Sequence, residues 1–227
     1  MRGFLSAPGN DWHVNPRLEG LTEPQRRLWD ELKSTPDHFT LYGGVAIALR
    51  LGHRFSTDFD FFSRTSFDPE HLYRRIPYLQ GAEVLQMEAD TLTCSVMRGE
   101  PVKLSFFGVP TWGIVDPPEV VAGPLIHIAS LVELAGTKAG TIQKRAAARD
   151  YIDLDALLGA GVELTTALAA ARRIYGAMFN PQVTLKALTY FADGDLNRVS
   201  GEVRGRLAEA VKSVDAEKLA ARIRESC

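Results

Sequence analysis

Residues 41–62 read LYGGVAIALRLGHRFSTDFDFF, and this stretch decides the fold. Phe39 to Tyr42 predicts a short strand that Gly43-Gly44 breaks. Val45 to Leu51 is apolar nearly all round, the pattern of a short buried helix. Asp58 to Phe62 then alternates acid and aromatic, the period-two signature of a strand. Residues two apart on a strand share a face, so Asp58 and Asp60 point the same way with Cα atoms roughly 6.5 Å apart. Phe59 and Phe61 take the opposite face and enter the core. Two carboxylates at that separation can converge on one divalent cation. Mg²⁺ takes one or two carboxylates and fills its remaining sites with water and substrate phosphates. The glycines let backbone approach phosphate oxygens, and the N-terminus of the following helix adds a favourable dipole. Ser56 lies on the Asp58 face and can donate to a phosphate. The competing reading is a solvated edge strand with its acids outward.

Outward from this stretch, Thr22, Pro24 and Gln25 predict a helix start with a capping box, running to about Ser34 before Pro36. Asp68-Pro69 starts another helix through Ile76. Three strand-like runs follow, Ala82 to Glu88, Thr91 to Met97 and Pro101 to Phe107, and the short links between them favour antiparallel neighbours. After Pro117-Pro118 almost no strand pattern remains. Residues 125–158, 164–178, 184–192 and 201–224 are rich in Ala, Leu, Arg and Glu and read as helices. The expected organisation is an irregular segment over residues 1–22, an α/β core over 23–115 and a helical region over 116–227. The fold class is α+β.

Composition sets outer bounds. The 227 residues are 45% hydrophobic and 24% charged, ordinary for a soluble globular protein, and the net charge of −2 carries no strong nucleic-acid footprint. Cys94 and Cys227 are too few and too far apart for a disulfide or zinc framework. No apolar run approaches the roughly 20 residues that span a bilayer, and MRGFLSAPGNDW lacks a signal-peptide core. The expected location is the cytoplasm, with no membrane partner.

A second block, TKAGTIQKRAAARDYIDL, holds Lys138, Arg149, Asp150 and Asp153. On helical spacing Lys138, Arg145 and Arg149 fall within about 20° of one face, and Asp153 follows Arg149 at i+4, as on a solvated, ion-paired helix surface. Gly136 and Gly140 argue against one unbroken helix. Together the two blocks resemble the AbiEii/AbiGii-type toxins of abortive-infection and toxin–antitoxin systems. The family pattern is Gly-Gly, a small apolar helix, then His-Arg-x-Ser-x-Asp-x-Asp, matched by Gly43, Gly44, His53, Arg54, Ser56, Asp58 and Asp60. A lysine and an Arg-Asp-x-x-Asp-Leu segment follow, matched by Lys138, Arg149, Asp150, Asp153 and Leu154. The resemblance covers about residues 39–158.

This resemblance implies a nucleotidyltransferase-like mixed sheet followed by a helical C-terminal region. It also implies transfer of a nucleoside monophosphate from a nucleoside triphosphate to an acceptor such as tRNA. Asp58 and Asp60 would hold Mg²⁺ (or Mn²⁺). Gly43, Gly44, Ser56, Arg54, Lys103 and Arg149 would contact the nucleotide, and Lys138 would neutralise the triphosphate. A cognate antitoxin protein is implied as partner.

One position departs from the pattern. Nucleotidyltransferases usually carry a third carboxylate on a neighbouring strand, and the corresponding position in VKLSFFG, residues 102–108, holds Ser105, a poor ligand and no base near neutral pH. Asp150 or Asp153 is then the candidate base, and Lys103, on the Ser105 face, a phosphate contact. Two alternatives stand beside the toxin: the same chemistry on a small molecule such as an aminoglycoside, favoured by the low basicity, and a non-catalytic nucleotide-binding module, favoured by Ser105. His53 either contacts nucleotide or orders its loop. Trp12, Trp29 and Trp112 scatter and read as packing residues. Arg74-Arg75 and Arg172-Arg173 are isolated pairs of the kind usually solvated.

Overall fold

A computed structural model describes residues 13–225, among which the first elements are a two-residue strand, β1 (His13–Val14), and a single 3₁₀ turn. Trp12, Cys227 and the other predictions on residues 1–12 and 226–227 lie outside the described residues. Helix α1 (Glu23–Leu28) starts as the sequence predicts: the Gln25 side-chain carbonyl accepts from the Thr22 N–H at 2.8 Å. It tightens to 3₁₀ geometry over Trp29–Ser34 rather than continuing as α-helix. Strand β2 (Thr40–Tyr42) leads directly into α2 (Gly43–Leu51), which includes both glycines, and β3 (Asp58–Ser63) follows. Asp68 caps α3 (Pro69–Arg75), accepting from the Glu70 N–H at 2.9 Å. The three predicted strands are β4 (Glu83–Glu88), β5 (Thr91–Arg98) and β6 (Glu100–Gly108), joined as antiparallel neighbours.

Beyond Pro118, where almost no strand pattern remains and helices are expected, the structure differs. Two short strands, β7 (Glu119–Val121) and β8 (His127–Ile128), extend the sheet past residue 116, and β8 pairs in parallel with β2. Elements of two or three residues are too brief to show a period of two, so only their neighbours reveal them. The same holds for β1, in a segment expected to be irregular, which pairs with β7. Among the described residues the mixed sheet has eight strands, in the order β1-β7-β8-β2-β3-β6-β5-β4.

The helices that follow are α4 (Leu131–Ile142), α5 (Ala148–Gly159), α6 (Leu164–Tyr175), α7 (Pro181–Ala187), α8 (Gly201–Lys212) and α9 (Ala216–Glu225). Gly136 and Gly140 do not interrupt α4. They let α6 approach: a Cβ on Gly136 would meet Ala170 and Ala171, and one on Gly140 would overlap the Tyr175 ring. The helix ends at Ile142 and α5 opens at Ala148, so Lys138, Arg145 and Arg149 do not share one helical face. Among the described residues no single helix is long and apolar enough to cross a membrane.

The core lies against the β3 face that the alternation predicts. Phe59 and Phe61 are fully buried, and Phe61 stacks on Phe106 of β6 at 5.3 Å. That burial forces Asp58 and Asp60 onto the other face, at the middle of the sheet. There β3 lies between β2 and β6, while α2 packs on β2, β3, α4 and α5. The helical layer thereby closes over the acidic face.

Candidate active site

Strand register sets the acidic pair among its neighbours. Asp60 lies opposite Tyr42 of β2 and Ser105 of β6, and Asp58 lies opposite Lys103. Ser105 therefore occupies the position beside Asp60 where a third carboxylate would complete the set. It is only 2% exposed and accepts a long hydrogen bond from the Thr93 hydroxyl, at 3.4 Å. Lys103 Nζ stands 3.8 Å from Asp58 Oδ2. Burial, and next the charge of Asp58, push the Asp60 carboxyl up to about 6, against the pull of Lys103, Lys138 and Arg149. Two carboxylates pressed together in this way suit a bound cation, which removes the repulsion. Among the described residues no cluster of three or more acidic, histidine or cysteine side chains could hold a metal. A cation here would draw its protein ligands from Asp58 and Asp60, a pair that fits Mg²⁺ completed by phosphate and water.

The glycine pair is fitted to these acids and to the loop before β3. Gly43 sits at φ 73°, and a Cβ there would lie 2.7 Å from Asp60 Oδ2. A Cβ on Gly44 would lie 2.5 Å from Ser56 Oγ and 2.7 Å from Arg54 Nη2. Gly43 therefore requires glycine for its conformation, and at either position a side chain would displace the tips of Asp60, Ser56 or Arg54. The first turn of α2 then opens directly onto Asp60, Ser56 and Arg54, where its N–H groups favour an anion.

Behind the cleft lies a buried ionic network that the spacing of the second block does not reveal. Lys138, 7% exposed, is held by Asp150 Oδ1 at 2.8 Å and Asp153 Oδ2 at 2.7 Å. Arg54 grips Asp153 with two hydrogen bonds of 2.6 and 2.7 Å, His53 Nε2 meets it at 2.7 Å, and Arg145 binds Asp150 at 2.7 Å. Neither carboxylate is exposed. Burial raises both, but the donors outweigh it: His53, Arg54 and the Lys138 charge hold Asp153 well below the usual carboxylate range, and Arg145 and Lys138 hold Asp150 below it. The solvated surface considered for this block is thus corrected. The base role expected of Asp150 or Asp153 fails as well, because a strongly stabilised carboxylate is a poor proton acceptor and these oxygens are already engaged. They serve as anchors. His53 is likewise turned inward, and Asp153 pairs with Arg54 rather than Arg149.

The cleft above this network has a volume of about 350 Å³ and is lined by Gly43, Gly44, Arg54, Ser56, Asp58, Asp60, Lys103, Lys138 and Arg149. Two blocks about eighty residues apart in the chain thus meet in one cavity. The model of the family "Nucleotidyl transferase AbiEii toxin, Type IV TA system" matches residues 27–224. The chain belongs to the AbiEii nucleotidyltransferase toxin family. An uncharacterised protein of Aquifex aeolicus (strain VF5) is 32% identical over 181 residues, covering 78% of this chain and 85% of that one. MenT4, a nucleotidyltransferase toxin of Mycobacterium tuberculosis H37Rv, is similar in structure with a TM-score of 0.61 and 18% identity. The match covers 89% of this chain and 88% of MenT4, a likeness that shows the shared fold.

In this AbiEii member the cleft also contains residues that the motifs do not single out. Thr137, Thr141 and Arg145 line it, and so do Tyr42, Phe62, Trp112 and Tyr175. Trp112, read from sequence as a packing residue, does pack, stacking on Phe62 at 5.0 Å, but it faces the cavity too. Nothing in a scattered tryptophan signals this. Only Thr137 and Thr141 carry a trace, flanking Lys138 at spacings that fit one helical side. A second buried group steadies the wall: Glu133 accepts from the Tyr42 hydroxyl at 2.6 Å, from Arg64 at 2.6 Å and from the Val115 N–H at 3.1 Å. Burial, then the Glu133 charge, push the Tyr42 phenol up, so it remains a donor.

Proposed function

We propose that this protein is a toxin that transfers a nucleoside monophosphate from a nucleoside triphosphate to a hydroxyl of tRNA or another cellular acceptor, in the cytoplasm. Asp58 and Asp60 would hold Mg²⁺ or Mn²⁺. The observation that carries the reading is the convergence of this acidic pair, the Gly43-Gly44 helix start and the anchored Lys138 in one cleft. Family membership supports the transferase class and an antitoxin partner.

Charge balance supports the same reading. Arg54, Lys103, Lys138, Arg145 and Arg149 bring five cations against the four carboxylates of Asp58, Asp60, Asp150 and Asp153. The small positive excess suits a triphosphate, and phosphoryl-type transfer depends mainly on positioning and charge neutralisation. Bound at the acidic pair, the metal ion would polarise a phosphoryl oxygen and offset charge. Gly43, Gly44 and Ser56 would bind phosphate oxygens. Lys138, fixed from behind by its two aspartates, would present its ammonium group at one position. The acceptor oxygen then bonds to the α-phosphorus, the bond to the β-phosphate oxygen breaks, and pyrophosphate leaves. The hydroxyl proton passes to water, because no free carboxylate stands beside the acids on β6. Lack of a positioned base costs about 10²–10⁴ in rate, so turnover is slow.

The test is incubation with Mg²⁺, total tRNA and each α-labelled nucleoside triphosphate, beside Asp58→Ala. Label entering tRNA with wild type alone is the expected outcome. Ser105 favours one second reading, a nucleotide-binding module without turnover. It requires nucleotide binding that depends on Asp58 with no pyrophosphate released towards any acceptor.

A further inference from the structure

A second cavity, of about 720 Å³, adjoins the first and shares its Trp112 and Tyr175 wall. The two cavities differ in chemistry. The first is lined by the acidic pair and five cations. The second is lined mainly by Ile174, Met178, Phe179 and the two shared rings, with Arg173 and Lys144 as its cations, Lys144 lying 5.4 Å from the Tyr175 ring centre. The rings are held in place. Trp112 stacks on Phe62 at 5.0 Å and meets Tyr175 edge-on at 5.2 Å. The N–H of Gly113, next in the chain, donates to the Ile174 carbonyl at 3.1 Å, tying this loop to the end of α6. Gly140 is what gives the Tyr175 ring its place against α4.

A nucleoside triphosphate has the same division: a charged tail and a flat, largely apolar head with polar edges. On the proposed function, the geometry points to the Trp112–Tyr175 wall and the cavity beyond it as the site for the nucleobase of the incoming nucleotide. The triphosphate lies in the first cavity and the base stacks against the shared rings. Continuity between the cavities and the match of polarity to each half of the ligand select this occupant. Trp112 is then a specificity-determining residue of the transfer reaction, contacting base and not phosphate.

The test separates the two halves of the ligand. The full-length protein is titrated calorimetrically with inorganic tripolyphosphate and with each of the four nucleoside triphosphates, in Mg²⁺ and without acceptor. Wild type is expected to bind its preferred nucleotide at least about tenfold more tightly than tripolyphosphate, the scale of base–aromatic stacking. Trp112→Leu should bring the two to near parity without changing tripolyphosphate affinity, which reports that the fold and the first cavity are intact. Trp112→Phe should retain most of the preference. Should Trp112→Leu fail to fold, Lys144→Met, at an exposed side chain, carries the test with a loss of about threefold. Unchanged nucleotide affinity in these variants overturns the proposal, including the case in which only use of the acceptor is impaired. Wild type that fails to bind tripolyphosphate overturns the proposed function, and this assignment with it.

Discussion

Asp60 carries a cost in the free protein that its proposed role in binding a cation would offset. Its carboxylate is half-buried beside Asp58, with Ser105 rather than a cation-bearing residue across the strand on β6. Asp60→Asn is expected to abolish transfer while raising the melting temperature of the metal-free protein by about 2–6 °C, as a partly desolvated like-charge pair is relieved. Thermal scans in chelator test this, and a lowered melting point would count against the repulsion. Ser105→Asp adds a third carboxylate at the same place. It should melt lower than wild type in chelator and gain more than wild type from added Mg²⁺. An equal gain in both proteins would show that position 105 does not face the cation.

At the scale of elements, α4 ties the molecule together. It supplies Lys138 to the network with α5 and packs through two glycines on α6. Lys138→Met would leave two buried carboxylates short of their shared cation, costing about 3–5 kcal/mol. Loss of activity in that variant therefore needs urea unfolding alongside it to separate folding from catalysis. Gly140→Ala leaves every charged residue unchanged but drives a methyl into the Tyr175 ring. The expected cost is about 1–3 kcal/mol by the same measurement, and a neutral effect would mean that α6 is free to shift.

Over the whole molecule, the same network links the connection between α2 and β3 to α5, since His53 and Arg54 grip Asp153. In the folded protein the Asp150 and Asp153 carboxyls lie below the ordinary aspartate value of 3.8. Their contribution to stability is therefore complete above that value and is lost as pH falls towards and through the lowered folded values. Acid titration by circular dichroism should show stability falling below about pH 4. Arg54→Met should weaken the protein at neutral pH and reduce that acid dependence. An unaltered acid profile would mean that Arg54 and Asp153 are not coupled.

Much of this molecule was legible in its sequence. The DFDF alternation places two acids on one face because a strand with one buried side has a period of two. Gly43-Gly44 marks a backbone that must pass close to something, and the structure identifies the neighbours as Asp60, Ser56 and Arg54. Tertiary structure alone decided the rest. The charges of the second block look like those of a solvated helix, because spacing along a chain cannot report burial. Only the packing of α4 and α5 beneath α2 turns Asp150 and Asp153 from candidate bases into anchors. The strands β1, β7 and β8 are two or three residues long and depend on partners far away in the chain. Trp112 joins the cleft because the loop after β6 returns against α6. Local pattern determined which faces are buried, and long-range packing determined which charges meet, because ionic and aromatic contacts depend on distance in space rather than position in the chain.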